Sequence, residues 1–353
     1  MTYDPHSTAR AGVVLPPSPQ VRLVPRTPSA AARSWSVDLP ESGTWKVTGA
    51  AGTGVSSFLI DTVIHALDKA RETGADPSGI LVIAPSKESG ARLRRELSER
   101  LEDYAAQSSM VRSVHSLAFA LLRTAAEEEL RLITGAEQDA VIRELLAGQA
   151  EDGHGSWPAE MRPALEYVGF ARQLRDFLLR SIERGLGPDD LERLGSEYGR
   201  PMWSAAGEFL REYERVQLLS RSHSYSAAEL VTAVLQRPQL LREHPFHTII
   251  VDDAQLLDPT AGELIRELAP HAQLVVVGGD ADQSVFAFRG ASSRFLREFP
   301  AEHEIELTEP HRTLLPACIS IVDSEGRLRD VVANTVPVSY THLSCRRRGE
   351  WSA

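Results

Sequence analysis

A glycine-rich segment near residue 50 has the residue types that bind phosphate. It reads Gly49-Ala50-Ala51-Gly52-Thr53-Gly54-Val55-Ser56-Ser57 and lies between an apolar run and a helical pattern. Glycines let consecutive backbone N–H groups surround phosphate oxygens, and the N-terminus of the following helix adds positive potential. The spacing predicts a nucleotide phosphate loop in which Ser56 binds Mg²⁺. The alternative is a glycine turn between strand and helix that binds no ligand.

Val55 stands where such a loop normally has a lysine, and valine cannot supply the missing charge. A unit charge about 4 Å from a phosphate contributes roughly 4 kcal/mol at an effective dielectric constant of about 20. We therefore expect this substitution to lower nucleotide affinity or turnover.

An acidic pair follows a second apolar run, in the segment IIVDDAQ at 249–255. A carboxylate at the end of a buried strand can hold Mg²⁺, directly or through water, and we assign this role to Asp252. The next carboxylate, Asp253, would polarise the attacking water. In the alternative interpretation, the two aspartates only cap the helix that follows.

A third segment, VGGDADQSVFAFRGA at 277–291, combines a polar amide with an aromatic–arginine cluster. Gln283 would sense the terminal phosphate of a nucleotide. Phe286 and Phe288 would offer ring faces to unstacked bases, and such stacking contributes about 1–3 kcal/mol per base. The alternative is that both phenylalanines belong to the hydrophobic core.

The elements around these segments predict an α/β fold. Apolar strands without alternation precede each chemical segment, and helical patterns separate them, which is typical of a parallel sheet with helices on both faces. A charged, arginine-rich block with helical periodicity interrupts this alternation and predicts an inserted helical subdomain. The predicted units are a flexible Pro-rich arm at 1–42, the α/β lobe at 43–124 and 244–302, the helical insertion at 125–243, the start of a second lobe at 303–336, and an unmatched, artefactual tail at 337–353.

Composition narrows the class of protein. The 353 residues carry a net charge of −11, which argues against coating nucleic acid by bulk attraction but leaves room for a local basic groove. The two cysteines are too few and too far apart for a metal cluster, and a disulfide is improbable. We find neither a membrane span nor a secretory signal, and we expect a cytoplasmic protein.

The motifs resemble those of UvrD/Rep-type superfamily 1 DNA helicases over about 45–325. GDADQSVFAFRGA is similar to their GDxxQSIYxFRGA, and VDDAQ is similar to their VDEAQ. RSVHSLAFALLR and IAPSKESGARLRREL resemble motifs Ib and Ia, and LTEPHRT resembles motif IV.

This resemblance implies a RecA-like P-loop NTPase lobe that uses ATP and Mg²⁺ and binds single-stranded and duplex DNA. It implies that Arg312 contacts the terminal phosphate and that His311 takes the place of the tyrosine that stacks on adenine. The residues that it places against DNA are Pro85, Ser86, Ser113, His115, Ser116, Phe286, Phe288 and Arg289.

Within this family, LITGAEQDAVIRELLAG and RDFLLRSIERGLGPDDLERLG look most like the actinobacterial AdnAB-type heterodimeric helicase–nuclease. The resemblance implies an ATP-dependent 3′-to-5′ helicase or translocase of DNA repair and recombination, and a partner helicase–nuclease subunit. Since Val55 and the shorter Asp253 weaken hydrolysis, the alternative is a non-hydrolysing, DNA-binding structural subunit. We expect this chain alone not to unwind DNA, because most of a second lobe is missing. A compact P-loop kinase fits poorly, because Ser56 and Asp252 lie 196 residues apart.

Overall fold

The protein is described by a computed structural model. The described residues are 35–101, 110–126, 129–220, 224–309, 318–322 and 328–332. The predicted Pro-rich arm therefore lies outside the described residues up to residue 34, and so does the predicted tail at 337–353.

A six-stranded parallel sheet forms the centre of the fold, in the order β3-β2-β6-β7-β1-β8. The strands are β1 (Gly43–Gly49), β2 (Ile80–Ala84), β3 (Val111–Ser113), β6 (Thr248–Val251), β7 (Leu274–Gly279) and β8 (His303–Leu307). Every residue of the central strands β2, β6 and β7 is buried. Because both faces of these strands are covered, their sequences are apolar runs without alternation. The predicted α/β class with a parallel sheet is confirmed.

Helices on the two faces of the sheet bury these strands. They are α1 (Val55–Thr73), α2 (Lys87–Arg100), α3 (Val114–Ala125), α8 (Ala227–Leu235), α9 (Pro238–Arg242), α10 (Pro259–Leu268) and α11 (Arg294–Glu298). One continuous core joins β2, β6 and β7 to α3, α8 and α10. Serine and aspartate caps begin several of these helices, since their side chains accept hydrogen bonds from the free N–H groups of the first turn. Ser86 caps α2, Ser113 caps α3 and Asp258 caps α10.

The helical insertion has a hydrophobic core of its own. Its helices are α4 (Gly135–Asp152), α5 (Val168–Glu183), α6 (Pro188–Glu197) and α7 (Pro201–Ser220). The sequence prediction ended the insertion at residue 243. In the structure, α8 instead contributes Leu230, Val231 and Val234 to the core of the sheet. These apolar residues make α8 part of the α/β lobe.

The strand β8 lies at the edge of the main sheet, where it pairs with β1 from Trp45↔His303 to Gly49↔Leu307. The sequence prediction put the start of a second lobe at 303. The structure differs, because the sheet of the first lobe extends to Leu307. The pattern HEIEL is typical of an edge strand, and only its last residue is buried. The sequence near residue 303 gives no sign of this pairing, because β1 lies more than 250 residues earlier in the chain.

Two small sheets complete the described structure. β4 (Arg131–Leu132) pairs in parallel with β5 (Ser224–Tyr225), and β9 (Cys318–Val322) pairs antiparallel with β10 (Leu328–Val332). Among the helices of the described ranges, none combines the length and the apolar character needed to cross a bilayer.

Candidate nucleotide and DNA site

The three chemical segments of the sequence follow three neighbouring strands. β6, β7 and β1 are adjacent and parallel, so their carboxyl ends meet at one edge of the sheet. β6 ends at Val251 before Asp252, β7 ends at Gly279 before Asp280, and β1 ends at Gly49 at the start of the glycine-rich loop. This edge is where ligands bind in open α/β sheets.

The glycine-rich loop turns sharply between β1 and α1. Gly52 and Gly54 have φ angles of 93° and 97°, a conformation that side-chain-bearing residues rarely adopt. The buried Thr53 stabilises the turn, because both its N–H and its hydroxyl donate to the carbonyl of Ala50, at 3.1 and 2.8 Å. Helix α1 begins directly after Gly54 without a side-chain cap, so the amide groups of its first turn face the loop.

Val55 packs its side chain towards the strands. A methyl group added at Gly278 would meet Val55 Cγ1 at 3.0 Å, and one added at Gly49 would meet Val55 Cγ2 at 3.1 Å. The side chain at the lysine position thus covers the ends of β7 and β1. Ser57, also predicted to bind nucleotide, is buried within α1.

Ser56 and Asp252 are in direct contact. The Ser56 hydroxyl donates to Oδ1 of Asp252 at 2.9 Å. Arg92 of α2 joins them: its Nη2 donates to Oδ2 of Asp252 at 3.1 Å and to Ser56 Oγ at 3.3 Å. The same nitrogen lies 3.8 Å from Oδ2 of Asp253. One guanidinium therefore contacts three of the oxygen-bearing groups at this edge.

Burial sets the ionisation of Asp252. Loss of water around its fully buried carboxyl, together with the charge of Asp253, raises its pKa to about 7. The charge of Arg92 and the hydrogen bond from Ser56 act in the opposite direction and are the weaker influence. Near neutral pH this carboxyl can therefore take up or release a proton.

A chain of hydrogen bonds connects Asp253 to Gln283. Gln255 Nε2 donates to Oδ1 of Asp253 at 3.3 Å, and Gln255 Oε1 accepts from the N–H of Asp280 at 3.1 Å. Gln283 Nε2 donates to Oδ2 of Asp280 at 2.9 Å. The buried Gln255 thus links the turns after β6 and β7, and Asp280 holds the side-chain amide of Gln283.

Asp253 has a φ of 50°, and it is the only residue other than glycine with a positive φ in the described part of the chain. The left-handed conformation is tolerated by aspartate better than by most residues. Strained backbone of this kind concentrates at functional sites. The alternative interpretation, in which both aspartates only cap a helix, does not fit, because Asp253 precedes the following helical turn without a side-chain cap and the Asp252 carboxyl accepts from Ser56 and Arg92.

The predicted DNA-facing residues of β2 and β3 lie at the same edge of the sheet. The two strands pair in parallel up to Ala84↔Ser113, so Pro85 and Ser86 lie beside Ser113. Ser86 Oγ accepts from Ser89 N at 3.1 Å, and Ser113 Oγ accepts from Ser116 N at 3.3 Å. These two serines therefore cap helices, and the Ser86 hydroxyl also donates to Ser89 Oγ at 3.3 Å.

His115 and Ser116 lie in the first turn of α3, where Ser116 is exposed. Burial lowers the pKa of the His115 imidazole, although the charge of Asp258 opposes this effect. A neutral imidazole offers one hydrogen-bond donor and one acceptor rather than a positive charge.

An exposed aromatic cluster follows Gln283. Phe288 is 73% exposed and Phe286 is 39% exposed, so the alternative that both belong to the core is wrong. The Arg289 guanidinium lies 5.6 Å from the Phe286 ring centre and 5.4 Å from that of Phe288. Arg180 of the helical insertion donates to the carbonyl of Arg289, which ties this loop to α5. The cluster presents ring faces and a cation together, as surfaces for single-stranded nucleic acid do.

The sequence prediction missed Arg92 and Gln255 as functional residues. Arg92 is five residues into α2, and only the position of that helix beside α1 brings it to the loop. Gln255 was visible within VDDAQ, and the signal was a polar side chain next to a buried strand. The predicted residues His311 and Arg312 lie outside the described residues.

The residues of the site fit the phosphates of a nucleotide better than they fit the Mg²⁺ ion that usually accompanies a nucleotide. The glycine turn and the first turn of α1 form a concave set of amides suited to phosphate oxygens. Ser56 and Asp252 carry the oxygen ligands that Mg²⁺ prefers. However, Arg92 donates hydrogen bonds to both of these groups, and a guanidinium excludes a second cation from the space that it fills.

Comparison with known proteins agrees with this geometry. DNA helicase II of Salmonella typhimurium is 24% identical over 313 residues, which cover 83% of this chain and 40% of that protein. The ATP-dependent DNA helicase PcrA of Staphylococcus aureus is 23% identical over 298 residues, covering 79% of this chain and 38% of that protein. A putative ATP-dependent DNA helicase, YjcD of Bacillus subtilis, is 23% identical over 292 residues, covering 76% and 35%.

The chain thus spans about 40% of the length of the curated relatives that it matches. Residues 32–304 match the UvrD/REP helicase N-terminal domain. This range contains the glycine-rich loop, the acidic pair and the aromatic cluster. The chain belongs to the UvrD/REP helicase N-terminal domain family.

Proposed function

We propose that this chain is the ATP- and DNA-binding first lobe of a UvrD-like DNA helicase or translocase that acts with 3′-to-5′ polarity in DNA repair or recombination. The observation that carries the proposal is the hydrogen bond between Ser56 and Asp252 at the loop between β1 and α1. It joins the phosphate loop to the acidic pair that such motors use. The names of the relatives, which are DNA helicases, support the same substrate.

In this lobe, the amides after Gly52 and Gly54 would bind the phosphates of the nucleotide. Asp253 would orient the attacking water, since its carboxylate is partly exposed beside the buried Asp252. Gln283, held by Asp280, would contact the terminal phosphate. The loop 286–289 begins three residues after Gln283, so a shift of that amide on hydrolysis would reach the aromatic cluster and the DNA that it holds. His311 and Arg312 would complete the nucleotide site from the motif IV segment.

Single-stranded DNA would pass along the carboxyl ends of β2 and β3. Pro85, Ser86, Ser113, His115 and Ser116 lie there, and the exposed Phe286, Phe288 and Arg289 would stack on bases.

The Arg289 charge is one of the influences that lower the pKa of Glu88, after the hydrogen bonds from the Glu88 amide and from Ser86. This coupling supports a position for the aromatic cluster near the start of α2. An aromatic–arginine face beside helix N-termini suits a phosphate-linked chain of bases.

A second candidate function is a non-hydrolysing, DNA-binding subunit that braces an active partner motor in an AdnAB-type heterodimeric helicase–nuclease. Val55 favours it, because the residue that contacts the terminal phosphates in active motors is replaced by an apolar side chain packed on Gly278. Under this proposal the lobe binds nucleotide and DNA, and the partner supplies translocation.

DNA-dependent ATPase activity tests the first proposal. In the full-length protein, single-stranded DNA should stimulate ATP hydrolysis. If a folded full-length protein binds DNA and ATP but hydrolyses ATP no faster with DNA than without it, the motor function is rejected in favour of the bracing subunit. If it binds neither ligand, both candidate functions are rejected.

A further inference from the structure

We propose that Arg92 serves as the resident cation of this nucleotide site, so that the chain binds the phosphates of ATP without a divalent metal ion. This inference rests on the proposed nucleotide binding and deepens it. Arg92 Nη2 lies 3.3 Å from Ser56 Oγ and 3.1 Å from Oδ2 of Asp252, the two groups between which a magnesium ion would be held. A positively charged group therefore already occupies the position of the metal.

Both carboxylate oxygens of Asp252 already accept hydrogen bonds within the site. Oδ1 of Asp252 accepts from Ser56, and Oδ2 accepts from Arg92. The Asp252 side chain is only 1% exposed, so water does not replace these partners. A divalent ion would have to displace the guanidinium from its most buried partner. Since Arg92 and the ion are both cations, they cannot share one carboxylate at close range without strong repulsion.

Arg92 retains donors for a ligand. Its Nε is buried and has no hydrogen-bond partner among the described residues. An unpaired buried N–H is costly and is normally satisfied in the functional state. The side chain as a whole is 36% exposed, so the guanidinium reaches the surface at the loop. A guanidinium has five N–H donors in a planar fork that matches the spacing of phosphate oxygens.

The lysines of the chain are not in a position to perform this role. Lys46 of β1 forms an ion pair with Glu304 of β8 at 2.5 Å, and Lys69 at the far end of α1 pairs with Glu41 at 2.6 Å. Lys87 is exposed at the first position of α2. Arg92 is five residues further along the same helix and is the cation that contacts Ser56 in the described structure. The cation at Ser56 and Asp252 therefore comes from α2.

The test is the affinity of the full chain for ATP, measured by isothermal titration calorimetry in buffer with either MgCl₂ or EDTA. We expect the wild-type dissociation constants in the two buffers to agree within about threefold. Arg92→Gln should weaken binding in EDTA by about tenfold or more, because it removes a charge-assisted hydrogen bond to phosphate. Arg95→Gln, on an exposed position of the same helix, is the matched control and should bind as the wild type does.

Three results would overturn the inference. Wild-type binding that requires MgCl₂ would show that a metal ion, not Arg92, holds the phosphates, and this comparison needs no variant to fold. Equal ATP affinities of Arg92→Gln and the wild type in EDTA would also reject the inference. Neither of these two results would contradict nucleotide binding itself. If the folded wild type binds single-stranded DNA but binds ATP in neither buffer, then the nucleotide part of the proposed function fails together with the inference.

Discussion

The hydroxyl of Ser56 lies 2.9 Å from Oδ1 of Asp252, although 196 residues separate them in the sequence. The helical insertion accounts for much of this separation, and it forms its own core. The sheet can therefore bring the ends of β1 and β6 together on either side of β7 as if the insertion were absent.

Val55→Lys should raise ATP affinity about tenfold or more, because it restores a charge beside the phosphates that contributes up to roughly 4 kcal/mol at an effective dielectric constant of about 20. The measurement is ATP titration of the full chain, with turnover followed in the full-length protein. The substitution loses the packing of two methyl groups on Gly49 and Gly278, which costs about 1 kcal/mol of unfolding free energy.

Val55→Met is the matched control, because it gives a long unbranched side chain without the charge. Its ATP affinity should equal that of the wild type. If Val55→Lys changes neither affinity nor turnover, the missing charge at this position is not the limiting defect.

Gln255→Ala should lower the free energy of unfolding by about 1–3 kcal/mol, because it leaves the N–H of Asp280 without its side-chain acceptor. The side chain also fills the space beside Gly279, where an added methyl group would collide with Oε1. Urea unfolding followed by circular dichroism measures this effect. Since Gln255 also contacts Asp253, DNA-stimulated hydrolysis in the full-length protein should fall as well.

Gln236→Ala, an exposed position at the end of α8, serves as the control for a lost glutamine. A loss of stability no larger at Gln255 than at Gln236 would mean that the link between the turns after β6 and β7 is not needed for the fold.

Much of the lobe could be predicted from local sequence. The buried strands β2, β6 and β7 are continuous apolar runs. Pro85 follows β2 and aspartates follow β6 and β7, so both the positions of the strands and the shared edge of the sheet follow from pattern. The strand β8 could not be predicted, because its five residues alternate weakly and the strand that pairs with them in the described structure is β1, more than 250 residues away in sequence. The end of the insertion was also missed, because α8 is helical like the insertion and only its packing on α3 and α10 assigns it to the lobe.

The candidate site likewise contains residues that the sequence predicted and residues that it missed. Ser56, Asp252 and Gln283 were predicted because each sits within a few residues of a strand end. Arg92 was not, because its role depends on the rotation of α2 about its axis and on the approach of α2 to α1. The same segment contains Arg94 and Arg95, and the sequence does not indicate which of the three arginines contacts the glycine-rich loop. The exposure of Phe288 likewise could not be predicted from its residue type, because a phenylalanine in this segment could equally have belonged to the core.

Phe288→Ala should weaken binding of single-stranded DNA about tenfold, because stacking of one base on an aromatic ring contributes about 1–3 kcal/mol. The side chain is 73% exposed, so the melting temperature should hardly change. Fluorescence anisotropy of a labelled oligonucleotide gives the affinity. Tyr167→Ala, which removes a ring that is 68% exposed on the helical insertion, is the matched control. Equal affinities of the two variants would remove Phe288 from the DNA-binding face.

Asp252→Asn should gain stability relative to the wild type as the pH rises. The folded-state pKa of Asp252 is raised from 3.8 to about 7, first by burial and then by the charge of Asp253. A carboxyl with a raised pKa contributes its full stability below its unfolded pKa and loses that contribution as the pH rises through the folded value. Asparagine is neutral throughout, so the stability difference between the variant and the wild type should shift by roughly 2 kcal/mol in favour of the variant between about pH 5 and about pH 8.

Urea unfolding of both proteins at the two pH values measures this shift. The ion pair with Arg92 forms only as the carboxyl ionises, and its effect is already contained in the folded pKa. Changes in packing contribute at both pH values, and they largely cancel in the comparison. A shift of the opposite sign, or none, would mean that Arg92 and Ser56 keep the carboxyl ionised across the range. The attraction of the guanidinium would then outweigh the cost of burial, and the negative charge of Asp252 would be a permanent feature of the site.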